Sequence, residues 1–285
     1  MSRYLAFGFA HILSLAAVLS SSLFAGMSSA AATQAARLTD FMADQACAIG
    51  PQTRSAAIAA GHDANAVDAL IASAKQDSKT VKAGQWLVLS SEQCRIKPPV
   101  VASAIKLSDP EVRSAVSSPT VPTAEGEVGC FLDPSRLFQE LRRTRFWNEE
   151  RIYQEYLRML GASIVSGELT FYSSDPLRTP PSFQLTTGEC GNVPHMAQIQ
   201  RSHENLITLF DPLIRANAEN VECIRHASLL TYQLHEIART LSKGAITNAW
   251  VGMELKLIAM GAGWYEGTDA KQPGTPRPPL CHYPA

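Results

Sequence analysis

The string best placed to do chemistry is HEIAR, His235 to Arg239. A zinc-hydrolase helix sets two His four residues apart so that both face one metal, with a Glu polarising water. Here Arg239 stands at the second ligand position. Arg is a permanent cation and cannot ligate zinc. The string therefore predicts the polar face of a helix and no metal centre, and His203-Glu204 reads the same way. His226 and His235 are nine residues apart, on opposite sides of a helix with 3.6 residues per turn. The chain contains neither a GxSxG elbow nor a GxxxxGK[ST] or GxGxxG loop, so a serine triad on a sharp turn and a phosphate cradle are not indicated. GAGWYEG, Gly261 to Gly267, lacks the Lys and Ser/Thr of such a cradle. No cofactor is implied. The remaining catalytic route is a hydrolase whose acid and base converge from scattered positions, with His235 and Glu236 as the pair to watch. That is the alternative reading, and non-enzymatic binding is the leading one.

The densest basic-aromatic patch is RRTRFW, with Arg142, Arg143, Arg145 and Trp147. As a ligand patch, its guanidinium groups would pair with phosphate or carboxylate while Trp147 stacks. As a structural feature, the Arg residues close one helix, where cations favour the negative end of the dipole. Asn148, Glu149 and Glu150 then open the next, where acids are favoured. The second reading explains more of the string.

Six cysteines stand outside the first thirty residues: Cys47, Cys94, Cys130, Cys190, Cys223 and Cys281. No two form CxxC, so a redox pair or zinc knuckle is not suggested. An even number in an exported chain reads as three disulfides. Export is expected from the amino terminus. Arg3 precedes an apolar run from Ile12 to Gly26 and then the small residues Met27 to Ala32, the order of a cleaved signal peptide. The expected location is periplasmic or secreted, with no membrane span after signal removal.

An internal repeat suggests how the cysteines pair. Cys47 opens CAIGP and Cys130 opens CFLDP, and an Asn follows eighteen residues after each, Asn65 and Asn148. Asn is a favoured helix N-cap. Each Asn precedes an apolar helical pattern, then strand-like text, then a Cys. The first strand segment turns at Ala83-Gly84; the second is long enough for a hairpin turning over Ser173 to Pro181. A third copy places Asn248 before a helix ending LIAMGAG, where the second copy reads LRMLGAS. Gly161 and Gly261 are expected as the residues just past the helix ends, where positive φ favours glycine. The predicted bonds are Cys47–Cys94, Cys130–Cys190 and Cys223–Cys281.

The fold class expected is α+β, helix-dominated, with three small disulfide-closed modules of two helices and a strand or hairpin. The boundaries read are 1–32 signal peptide, 33–97 first module, 98–129 Pro/Ser-rich linker, 130–194 second module, and 195–285 a helical hairpin plus the third module. The hairpin is read from an apolar face over Met196 to Leu213, bent at Asp211-Pro212, and another over Cys223 to Leu241. Hydrophobic residues at 46% and charged residues at 18% fit a packed globular chain, and a net charge of -1 gives no field for nucleic acid. The partner expected is a protein or an envelope polymer.

Overall fold

The computed structural model describes residues 34, 36–124, 126–223 and 231–283. The expected leader, His226, and the first part of the helix read over Cys223 to Leu241 lie outside the described residues. The architecture is α+β and helix-dominated, with small antiparallel strand pairs. No helix among the described residues is long and apolar enough to cross a membrane.

The first part of the chain holds helix α1 (36–44), strand β1 (Ala48–Ile49), helices α2 (Thr53–Ala59) and α3 (Ala64–Gln76), and strands β2 (Val81–Ala83) and β3 (Trp86–Val88). The strands form a sheet in the order β1-β3-β2. Gly84 at φ 59 makes the turn between β2 and β3, a conformation L residues with a Cβ resist. Asp63, not Asn65, caps α3 by accepting from the Ala66 N–H; Asn65 lies inside the helix.

The second part holds α4 (Pro110–Ser114), α5 (Pro134–Arg145), α6 (Glu149–Val165), and strands β4 (Leu169–Thr170) and β5 (Gln184–Leu185). Asn148 caps α6 as its spacing predicts, accepting from the Arg151 N–H. The third part holds α7 (Met196–Thr208), α8 (Phe210–Asn220), α9 (Thr231–Leu241), α10 (Val251–Gly261), and strands β6 (Tyr265–Glu266) and β7 (Thr275–Pro276). The long helix read through Asp211-Pro212 divides at Leu209, because a proline in the first turn of α8 has no N–H to continue the ladder of α7. Asn248 does not cap α10; its side chain bonds the Ser173 and Trp250 N–H groups instead.

The disulfides join Cys47 to Cys94, Cys130 to Cys190 and Cys223 to Cys281, the pairs the repeat predicts. One main core runs from Met42 to Leu280 and takes in the first two disulfides, while Cys223 and Cys281 pack with Val221 in a small separate cluster. The Pro/Ser-rich segment joins that core, burying Ile105, Val112 and Ala115. The tightest helix contact is between α6 and α10. Gly161 and Gly261 face each other at this crossing, and a Cβ built on either would meet the other glycine's Cα at 3.3–3.4 Å. Neither glycine has positive φ, so the expectation that they stop their helices is corrected. That role falls to Gly167 (φ 75) and Gly263 (φ 74). Each stands past its helix end in a Schellman turn: Glu168 N–H to Ser163 O and Gly167 N–H to Ile164 O in one, Trp264 N–H to Ala259 O and Gly263 N–H to Met260 O in the other.

Candidate functional site

The predicted chemical strings resolve mainly into structure. Arg142 pairs with Glu149, and Arg143 pairs with Glu140 at 2.6 Å. Arg145 is mostly covered; it reaches Asp109 at 2.6 Å, Glu111 at 3.0 Å and the Ala104 carbonyl at 2.7 Å. Hydrogen bonding from Arg145 holds the Glu111 carboxyl well down, at about 2. The Arg145 and Arg151 guanidinium groups lie 5.1 and 4.3 Å from the centre of the Trp147 ring. The patch thus joins α4, α5 and α6 through its own intramolecular partners. His235 and Glu236 do not converge. The His235 Nδ1 lies 3.2 Å from the Asn248 carbonyl, which only accepts, so Nδ1 carries the proton. Glu236 is on the surface and pairs with Arg239 at 2.8 Å. His203 packs on Gly167 and bonds the Val165 carbonyl. Among the described residues no group of three His, Cys, Asp or Glu side chains is arranged to hold a metal.

A buried polar network fills the space between β4, α7 and α10. Glu254 on α10 accepts from the Thr170 hydroxyl at 2.7 Å and the Phe171 N–H at 2.9 Å. Burial drives its carboxyl up to about 7, against the lowering effect of the Thr170 and Phe171 bonds and of Asn248. The Asn248 Nδ2 favours the charged carboxyl but makes no full hydrogen bond. The Ser202 hydroxyl gathers the Thr247 and Asn248 N–H groups. In front of this network Tyr172, Ser173, Asp175, Arg178, Gln184 and His195 line a cavity of about 170 Å³. That is below the range of ligand pockets, about 300–1,000 Å³, and Glu254 does not line it.

Two larger cavities, of about 640 and 720 Å³, share Gly263, Tyr265 and Gly267 as a common wall. The first is lined by Val100, Val101 and Ala102, by Leu157 and Arg158 of α6, and by Met260. The second is lined by Gln45, by Gln52 and Thr53 at the start of α2, by Gln85 and Trp86, and by Glu266 and Arg277. All three disulfide-closed parts, with the segment following the first, contribute to this groove. Gly263 and Gly267 both take positive φ there, and a Cβ on either would meet nothing within 4 Å.

Arg277 is the unusual residue of the groove. It is 8% exposed, yet among the described residues its side chain makes a single hydrogen bond, to the Gln45 amide oxygen at 3.4 Å, and has no ion-pair partner. Its guanidinium lies 5.0 Å from the centre of the Trp86 ring. Burial lowers its pKa to about 10, with Glu266 pulling weakly the other way. Arg215 is the useful contrast. It is less enclosed, with 23% of its side chain exposed, yet it bonds Asp211 and the carbonyls of Leu89 and Cys94 at 2.9–3.0 Å. A structural Arg is satisfied by its own chain; Arg277 is left with donors to spare. Sequence reading missed Arg277, because RPP in a Pro-rich tail carries no signal of burial, and it did not single out Trp86, which lies in the strand segment after Ala83-Gly84.

Comparison with protein-family models, with curated proteins and with solved structures returns no match for this chain.

Proposed function

We propose that the chain is a periplasmic or secreted binding protein, without catalysis of its own, that holds part of a protein or envelope polymer in the groove over residues 263–267. The observation that carries this is the pair of ligand-sized cavities sharing the Gly263–Tyr265–Gly267 wall. Their lining mixes apolar side chains with amides, aromatic rings and one underused cation, which suits recognition. It includes neither a nucleophile–base pair nor two carboxylates set to share a reaction. The three disulfides are compatible with an oxidising compartment.

The test is native mass spectrometry of the protein recovered from its host's exported fraction, beside the variants Ala56→Trp and Ala102→Trp. These exposed positions line one cavity each, so a Trp fills the space without removing an interaction. A co-purifying molecule present on the parent chain and lost from either variant is the expected result. A molecule retained by both variants, or a bare chain in all three, overturns the groove as the binding site.

A further inference from the structure

Resting on that reading, we propose that the cavity beside Trp86 is a carboxylate site, in which the Arg277 guanidinium forms a paired hydrogen bond with one carboxylate group of the ligand.

The argument begins with the orientation of the cation. One side of the Trp86 ring is pressed against Gly50, where a Cβ would come within 2.2 Å of the ring carbons. Only glycine permits that approach, and it fixes the ring. The guanidinium is then held near the ring and steadied by the Gln45 amide. A cation fixed in this way loses little freedom when it binds, which is the advantage of a prearranged site. Burying such a charge without an anion is costly, and chains usually avoid it by pairing. Here the carboxylate is the missing element. Burial lowers the guanidinium pKa, and Glu266 only partly offsets it.

The class of anion follows from the lining. Among the described residues lining this cavity, Arg277 is the one cation and Glu266 the one carboxylate. With Glu266 counted, a bound monoanion leaves one excess negative charge and a phosphate dianion leaves two, which favours the smaller charge. The planar fork of a guanidinium also matches a planar carboxylate in two parallel N–H···O bonds. Gln52, Thr53 and Gln85 supply amide and hydroxyl groups for polar atoms around it. Two sources carry such a group: a saccharide acid and the free carboxyl of an amino acid or peptide.

The experiment is an NMR titration of the isotopically labelled, oxidised full chain. It follows the Arg Nε–H and Trp indole signals, with those of Arg277 and Trp86 assigned by Arg277→Lys and Trp86→Phe. The probes are glucuronate against glucose, N-acetylalanine against N-acetylalaninamide, and inorganic phosphate. The expected result is a shift of both signals with at least one carboxylate probe and none with its neutral partner. Arg277→Gln should weaken that binding at least tenfold, Arg277→Lys less, and Glu266→Gln should tighten it. Whichever pair responds names the source. Should Arg277→Gln not fold, Ala56→Trp tests the same cavity with Arg277 intact and should abolish the shifts. Phosphate binding in preference to both carboxylates, or equal response to acid and neutral partner, overturns the proposal. Retention of the natural groove ligand by Arg277→Gln with full affinity overturns it while leaving the groove reading standing. Loss of the groove reading itself is read separately, from retention of the natural ligand by both Ala56→Trp and Ala102→Trp, the second of which does not touch this cavity.

Discussion

Glu254 shows how a single side chain sets a pH response. Its carboxyl sits 5% exposed on α10, and burial raises its pKa from 4.5 to about 7 despite the Thr170, Phe171 and Asn248 groups that favour the charged form. The folded chain therefore holds this proton more tightly than the unfolded chain does. The stability linked to it is complete below about 4.5 and is lost as pH rises through about 7. Thermal unfolding followed between those values should show Tm falling with pH, and Glu254→Gln should flatten that slope. The full span corresponds to about 3 kcal/mol on the relation between pKa difference and free energy. An unchanged slope in the variant would assign the pH dependence to other groups. Arg277 belongs to the same scale but has the opposite character: a buried cation with too few partners, where Glu254 is a buried acid kept tolerable by its donors.

Among elements, the crossing of α6 and α10 is the most demanding contact. A Cβ at Gly261 would stand 2.8 Å from the Leu157 carbonyl oxygen, and one at Gly161 would stand 3.1 Å from the Leu257 carbonyl oxygen. Both obstacles are backbone, which cannot turn aside as a flexible side chain can. Gly261→Ala should destabilise by roughly 2 kcal/mol, the scale of overpacking in a tight core. Gly161→Ala should cost less, because its contact is longer and alanine gains some helix propensity within α6. Denaturant unfolding of the two variants gives the order; Gly161→Ala proving the more damaging would show that the crossing is not limited by these carbonyls. Gly261, Leu157 and Arg158 of this crossing also line the first of the two cavities.

For the whole molecule, the question is whether the three disulfide-closed parts behave as three units or one. The main core contains residues from every part, including Cys47, Cys94, Cys130 and Cys190. Ties between parts are specific: Asp211 accepts from the Ile96 N–H, Glu155 from the Ala104 N–H, and the Trp264 indole donates to the Asp44 carbonyl. Calorimetry should accordingly show one cooperative transition. The bonds close loops of 47, 60 and 58 residues, each worth about 4 kcal/mol in the chain-entropy picture. Replacing the Cys130–Cys190 pair by serine should lower the single transition as a whole. A separate early transition, with the rest unchanged, would mean that the second part unfolds alone.

Much of the local structure was legible in the residues themselves. Asn148 announced its helix because an N-cap acts within one turn, and the turn at Gly84 and the hairpin over Ser173 to Pro181 follow from equally local chemistry. The disulfides join the pairs expected from the likeness of CAIGP and CFLDP, although of the three Asn residues expected as helix caps only Asn148 acts as one. The division of the sequence at 98–129 was misleading about space: proline and serine suggested a spacer, but burial depends on what packs against Ile105 and Val112, which composition does not contain. LRMLGAS and LIAMGAG were visibly alike, yet their glycines meet each other across two helices instead of ending them, and a contact between residues a hundred positions apart has no local trace. The groove has the same origin. Gln45, Trp86, Leu157, Tyr265 and Arg277 are unremarkable one at a time, and they line adjoining cavities only because the three closed parts share one core. The sequence by itself determined the short-range elements and the cross-links, since those depend on neighbours along the chain. Only the tertiary structure decided which cation would be buried with no ion pair among the described residues, because desolvation is a property of the surroundings and not of the residue.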